Sequence, residues 1–155
     1  MISTILVGID GSPFAEQALR MALEWAKGWS AAVHAIFVMR PEDLPGLPSS
    51  SAVYEGRDTS LAFVSRILES EGAEVEQRVQ EIAGRYAWPV AMHKEVGDPA
   101  REIIACAKKV RADLIVVGSR GTGTFERFFL GSVSSYVVEH SPVSAVVVKE
   151  KGKSG

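Results

Sequence analysis

Short apolar runs alternate along this chain with longer stretches in which apolar residues recur every three or four positions. Residues 2–9 are mostly apolar and end at Gly8-Ile9-Asp10-Gly11-Ser12-Pro13, which predicts a buried strand running into a helix start. Ser12 offers an N-cap, and Pro13 suits the first helical position, where its missing N–H has no partner to lose. Phe14, Ala18, Leu19, Ala22, Leu23 and Ala26 then share one helical face, with an expected end near Lys27-Gly28. Residues 31–39 read as a second strand, apolar enough to be buried on both faces of a parallel sheet. A helical pattern returns over 59–86 through Leu61, Val64, Leu68, Val75, Val79 and Ile82, with Gly72 as a possible kink. Residues 89–96 predict a third strand. Gly97-Asp98-Pro99 repeats the cap-then-proline start, ahead of Ile103, Ile104, Ala107 and Val110. Residues 113–118 predict a fourth strand, 132–139 a short helix, and 143–149 a fifth strand after Ser141-Pro142.

Five strands alternating with four helices predict an α/β fold, a doubly wound parallel sheet with helices on both faces. In such sheets ligands bind outside the carboxyl ends of the strands, where the strand order reverses. A single domain over 1–150 is expected, with 151–155 as a frayed tail. Residues 40–58 stand apart, carrying Pro41, Pro45, Gly46, Pro48 and Ser49-Ser50-Ser51. A connection that long is a lid, a binding loop or a disordered segment, and a mobile insert is expected.

The densest chemistry comes after the fourth strand. Gly118, Gly121 and Gly131-Ser132 bracket a loop that opens the fourth helix. Glycines let backbone N–H groups approach an anion, and a helix start adds unpaired donors and the positive end of a dipole. The spacing is not a Walker loop, since no Gly-Lys-Ser/Thr occurs in the chain. It is not a dinucleotide fingerprint either, because Glu126 stands where the third glycine belongs. By spacing alone the stretch is either a phosphate turn or a glycine-bearing surface loop. Asp10, at the end of the first strand, fits a ribose or metal-bridged contact, or equally a cap for the turn before Ser12.

Composition narrows the classes. The net charge of −2 lacks the basic excess of a nucleic-acid surface. No apolar run approaches the roughly 18 residues of a membrane span. A single cysteine, Cys106, excludes an internal disulfide framework, and a cytoplasmic protein is expected. His34, His93 and His140 form no recognisable triad with a serine and an acid, and Cys106 reads as a buried, inert thiol.

The set Ile5-Leu-Val-Gly-Ile-Asp10-Gly-Ser12, Val96-Gly-Asp98-Pro99, Ala112-Asp-Leu-Ile-Val-Val-Gly118, the Gly118/Gly121/Gly131-Ser132 spacing and Ser141-Pro142-Val143 resembles the universal stress protein family, and its ATP-binding subgroup in particular. That resemblance implies a five-stranded sheet of order 3-2-1-4-5 and a switch point between the first and fourth strands. It implies ATP with Mg²⁺ as the cofactor. Gly8, Ile9 and Asp10 would lie near adenine, ribose and metal, and the Val38 backbone would read the adenine edge. Val117 and Gly118 would lie near the ribose, and Gly121, Gly131, Ser132, Val133 and Ser134 would hold the triphosphate. Gly8 replaces a proline common in the family. Arg120 is placed to pair with a phosphate or to remain a solvated surface residue.

The resemblance also implies a homodimer through the uncharged strand Val143-Ser-Ala-Val-Val-Val148, besides any protein partner still to be identified. The expected role is a nucleotide-dependent sensor or regulator of the stress response, with at most weak ATP hydrolysis. A slow ATPase, an adenylyl- or phosphoryl-transfer enzyme, and a nucleotide-free structural dimer are the alternatives.

Overall fold

The computed structural model describes residues 1–44, 59–120 and 130–149. Its elements are β1 (Thr4–Ile9), α1 (Pro13–Trp29), β2 (Ala32–Met39), α2 (Thr59–Tyr86), β3 (Val90–Val96), α3 (Pro99–Val110), β4 (Leu114–Gly118), α4 (Ser132–His140) and β5 (Ser144–Val148). All strand pairings are parallel and the sheet order is β3-β2-β1-β4-β5, as the resemblance implied.

Alternation along the strands divides the core in two. Ile5, Val7 and Ile9 of β1 join Val33 and Ala35 of β2 and Leu114 and Val116 of β4 beneath α1 and α2. Leu6, Ile36, Ile115 and Val117 face the other way, against α3 and α4. Both helices that begin with a cap-then-proline pair use it. The Ala15 N–H donates to the Ser12 hydroxyl at 3.2 Å, and the Arg101 N–H donates to Asp98 at 3.1 Å. Exchanging such a cap for alanine costs about 1 kcal/mol.

Two expectations about helices are corrected. The first helix does not stop at Lys27-Gly28; it continues through Gly28 to Trp29, and Ser30 ends it in the left-handed conformation at φ 56°. Nor does Gly72 break α2, which is continuous for 28 residues. Gly72 is instead a contact point: a Cβ there would lie 2.9 Å from Lys94 Cδ. The bare Cα lets the Lys94 stem cross α2, so that its ammonium reaches Glu76. At the other end of the interface Arg78 Nε donates to Glu16 at 2.9 Å, joining α2 to α1. Pro41–Asp43 form one 3₁₀ turn; residues 45–58 of the expected mobile insert, Gly121, and the tail lie outside the described residues.

His34 and His93 both lie in strands, and the register brings them together. His34 Nδ1 and His93 Nε2 meet at 2.9 Å across β2 and β3, one ring donating and the other accepting. Burial is the leading cause that holds both imidazoles below their ordinary range; His93 adds to it at His34, and Lys109 at His93, where Glu95 opposes. The unfolded chain therefore takes up protons that the folded chain resists. Stability should be intact near pH 7 and should fall as pH drops through about 6.5, the unfolded imidazole value. Urea unfolding at pH 7, 6 and 5 should show this decline. A variant carrying both His34→Gln and His93→Gln should decline less over the same interval; an equal decline would place the sensitivity elsewhere.

Asp113 acts in a lower window. Its carboxylate accepts from the Ser3 N–H and hydroxyl, both at 2.9 Å, and from the Thr4 N–H at 3.0 Å, and these bonds hold its pKa below the ordinary carboxyl value. That contribution is present at neutral pH and is lost only as pH falls through and below about 4.

Candidate functional site

A cleft of about 850 Å³ opens across the carboxyl ends of β1, β2 and β4. The strand order explains its position. β1 is flanked by β2 on one side and β4 on the other, and the connections after them leave toward opposite faces, so the chain parts above the sheet. Gly8, Ile9, Asp10, Val38, Val117, Gly118, Arg120, Gly131, Ser132, Val133 and Ser134 all line it.

The peptide groups of β2 set one side. Met39 accepts from the Gly97 N–H on the β3 side at 3.0 Å. Successive residues of a parallel strand turn their peptide groups to alternate neighbours, so those of Val38 face β1. The last paired residue of β1 is Ile9, opposite Phe37, and beyond it the chain turns away through Asp10 and Gly11. Asp10 fills the capping role: its carboxylate accepts from the Ser12 N–H at 2.9 Å while the side chain remains exposed at the cleft. Gly11, at φ +83°, is the residue whose conformation requires glycine in this turn.

The opposite side is the start of α4. Gly131 is its N-cap, with no side-chain cap, and the first bond into the helix runs from the Ser135 N–H to the Gly131 carbonyl at 3.0 Å. The N–H groups of Ser132, Val133 and Ser134 have no partner among the described residues. α1 and α3 satisfy such a donor with Ser12 and Asp98; α4 leaves its donors without a side-chain cap, on residues that line the cleft. The loop that presents them is fastened at its base. The Gly131 N–H donates to the Ser119 carbonyl at 2.7 Å, and the buried Ser134 hydroxyl lies within 3.1 Å of the same carbonyl and 3.0 Å of that of Gly131. The Ser134 side chain is thus committed inward, and only its N–H is left without a partner among the described residues.

Two glycines have different reasons from those the spacing gives. A Cβ on Gly118 would lie 2.8 Å from the carbonyl carbon and from the Cβ of Phe14. Gly118 therefore admits the first turn of α1 rather than an anion. Gly131 adopts φ −64°, open to any residue, and a Cβ there meets nothing closer than 3.4 Å. What its bare Cα keeps open is space on the cleft side.

The cleft also contains residues that the motifs do not reach. Ile36, Pro99 and Ile103 extend its wall on the α3 side, and Met39, Arg40, Asp43, Glu71, Glu74 and Val75 form a second side against α2. Only the strand alternation at Ile36 and the helical face at Ile103 foreshadow any of them. Arg120 is half-buried at the cleft and forms no ion pair within the described residues. Among those residues no three histidine, cysteine or acidic side chains gather to hold a metal ion, and no helix is long and apolar enough to cross a membrane.

A doubly wound sheet with a switch-point cleft defines a class of open α/β domains, and comparison with known proteins narrows it. The model of the universal stress protein family matches residues 1–149, and the chain belongs to that family. It is 36% identical to the universal stress protein MJ0531 of Methanocaldococcus jannaschii over 151 residues, which cover 96% of this chain and 83% of that one. Among solved structures, the universal stress protein UspA from Lactobacillus plantarum superposes with a TM-score of 0.73 at 28% identity, covering 95% of this chain and 97% of its own. A universal stress protein in complex with cAMP superposes with a TM-score of 0.69 at 24% identity, covering 95% and 97%, a likeness of fold.

Proposed function

We propose that this chain binds ATP in the switch-point cleft and serves as a nucleotide-dependent regulator rather than as a fast hydrolase. The uncapped start of α4 carries the reading. Three N–H donors beside one another, at the positive end of a helix and facing a cleft, suit a polyphosphate and leave no other described role for those groups. In this reading the Ser132, Val133 and Ser134 N–H groups and Gly131 hold phosphate oxygens, with Gly121 and Arg120 completing the cradle. Val117 and Gly118 border the ribose, and the Val38 peptide meets the base edge beside Gly8 and Ile9. Asp10 faces the ribose and supplies one carboxylate to a Mg²⁺ ion otherwise held by phosphate oxygens and water. The cleft carries Asp10, Asp43, Glu71 and Glu74, and a cation that offsets nucleotide charge would ease the entry of ATP there.

The test is calorimetric titration with ATP, with and without Mg²⁺, alongside turnover of the bound nucleotide. Retained ATP with turnover far below about 1 s⁻¹, the lower end of ordinary enzymes, is the expected result. Rapid hydrolysis would favour an enzyme, and no binding at millimolar ATP would leave a structural protein.

The same reading extends to a homodimer through β5. β5 is an edge of the sheet, and its residues Ser144–Val148 contain no charge or proline to discourage pairing. Pairing two copies antiparallel about a two-fold axis would satisfy that edge. Sedimentation should show a dimer at micromolar concentration, and Val146→Pro should shift it toward monomer. A fully dimeric proline variant would place the interface elsewhere.

A further inference from the structure

We infer that His34 and His93 form a two-histidine site for a divalent transition-metal ion of the zinc class, on the α3 face of the sheet. Neither residue lines the cleft, so the inference stands independently of the nucleotide reading. The register sets His34 opposite Ala91 and Ile36 opposite His93, which makes the two histidines diagonal neighbours on one face of β2 and β3. Alternation puts them on the face of Leu6 and Ile36, against which α3 packs. α3 leaves the margin of that face open. Both rings are half-buried, and Ala32 and Ala91, two residues earlier on the same face of each strand, are exposed. An ion therefore has a route to the pair from solvent.

Geometry and donor type give the ligand class. His34 Nδ1 and His93 Nε2 stand 2.9 Å apart. Two nitrogens bound to one ion at about 2.0–2.1 Å stand about 2.8–3.4 Å apart for bond angles between about 90° and 110°. The strands already hold the pair at that spacing. The nitrogens now share a hydrogen bond, and the broad ring torsion of histidine lets each ring turn by about 35–45° until both lone pairs meet on one ion. The ring that donates moves its hydrogen to its other nitrogen, so coordination by the neutral pair releases no net proton. Burial keeps both imidazoles neutral near pH 7, the form that binds a metal. Glu95, on the same face of β3, offsets the charge of an arriving cation, and Lys109 of α3 opposes it. Among the described residues no third histidine, cysteine or acid joins the pair, so water completes the shell. Imidazole nitrogen suits zinc, nickel or copper(II), whereas magnesium and calcium favour oxygen. With two protein ligands in place of four, the ion is exchangeable rather than structural.

The probe is Zn²⁺, titrated calorimetrically into the untagged protein without nucleotide, with excess Mg²⁺ as the contrast. His34→Gln and His93→Gln should each weaken Zn²⁺ binding by about a hundredfold. His140→Gln removes the third and last histidine of the chain and should leave the affinity within about twofold of wild type. Mg²⁺ should not displace the zinc. Nuclear magnetic resonance of the unaltered protein adds a reading that needs no variant to fold. Zn²⁺ should shift the ring resonances of His34 and His93 and leave those of His140 in place. A wild type that takes up no zinc at millimolar concentration, or rings of His34 and His93 that do not respond, would overturn the site. So would a folded His34→Gln or His93→Gln protein of wild-type affinity, or an equal loss in His140→Gln. None of these outcomes bears on ATP, whose own titration decides the nucleotide reading separately.

Discussion

Gly131→Asp should make the protein slightly more stable and abolish ATP binding. Position 131 has the extended backbone of an N-cap, with φ −64° and ψ 164°, and room for a Cβ. An aspartate there would accept from the Val133 or Ser134 N–H, as Asp98 does for α3, and gain a few tenths of a kcal/mol over glycine. The same carboxylate would occupy donors proposed for phosphate and would repel it. Hydrogen bonds to a charged group are worth about 1.5–3 kcal/mol each, so losing two corresponds to a drop of more than about a hundredfold. Urea unfolding and ATP titration on one sample check both signs. A variant that gains stability but still binds ATP at wild-type affinity would remove the α4 start from the site.

Gly118→Ala should produce the opposite pattern, a fault in the fold before any fault in binding. The new Cβ would meet Phe14 backbone at 2.8 Å, and backbone in the first turn of a helix cannot rotate aside as a side chain can. Overpacking of this kind costs about 1–3 kcal/mol, and Gly118→Val should exceed that range and fail to accumulate as folded protein. Phe14→Ala should not rescue either variant, because the carbonyl carbon and Cβ remain in place. A Gly118→Ala protein with an unchanged urea midpoint would show that α1 can withdraw freely from β4.

These two glycines show how much of the molecule the sequence discloses. Strand alternation and the Ser12-Pro13 and Asp98-Pro99 starts are local and read directly, whereas the position of the cleft follows from the strand order, which the family resemblance supplied. The end of α1 does not, because Ser30 takes a left-handed backbone where glycine is the expected residue. Gly118 and Gly131 look alike in a spacing pattern, yet one is set by a helix 104 positions earlier in the chain and the other by open space. The acidic side of the cleft arises because long α2 packs over β2 and β3 beside α1, which brings Glu71 and Glu74 to the cleft. The His34–His93 pair is legible only once the register brings β2 beside β3. Contacts across the sheet, not motifs, decide each of these.

The fastening beneath α4 also has an engineering meaning. The chain leaves at Ser119 and returns at Gly131, where one backbone bond and one buried serine hydroxyl join departure to return. Such a clasp separates the length of the excursion from the position of the helix beyond it. Closing a longer loop adds only about 0.6 kcal/mol per doubling of its residues. Foreign sequence spliced after Gly121 and before Leu130 would therefore leave the clasp, and with it the helix start, in place. This segment is the natural insertion point for a reporter meant to sense occupancy of the cleft.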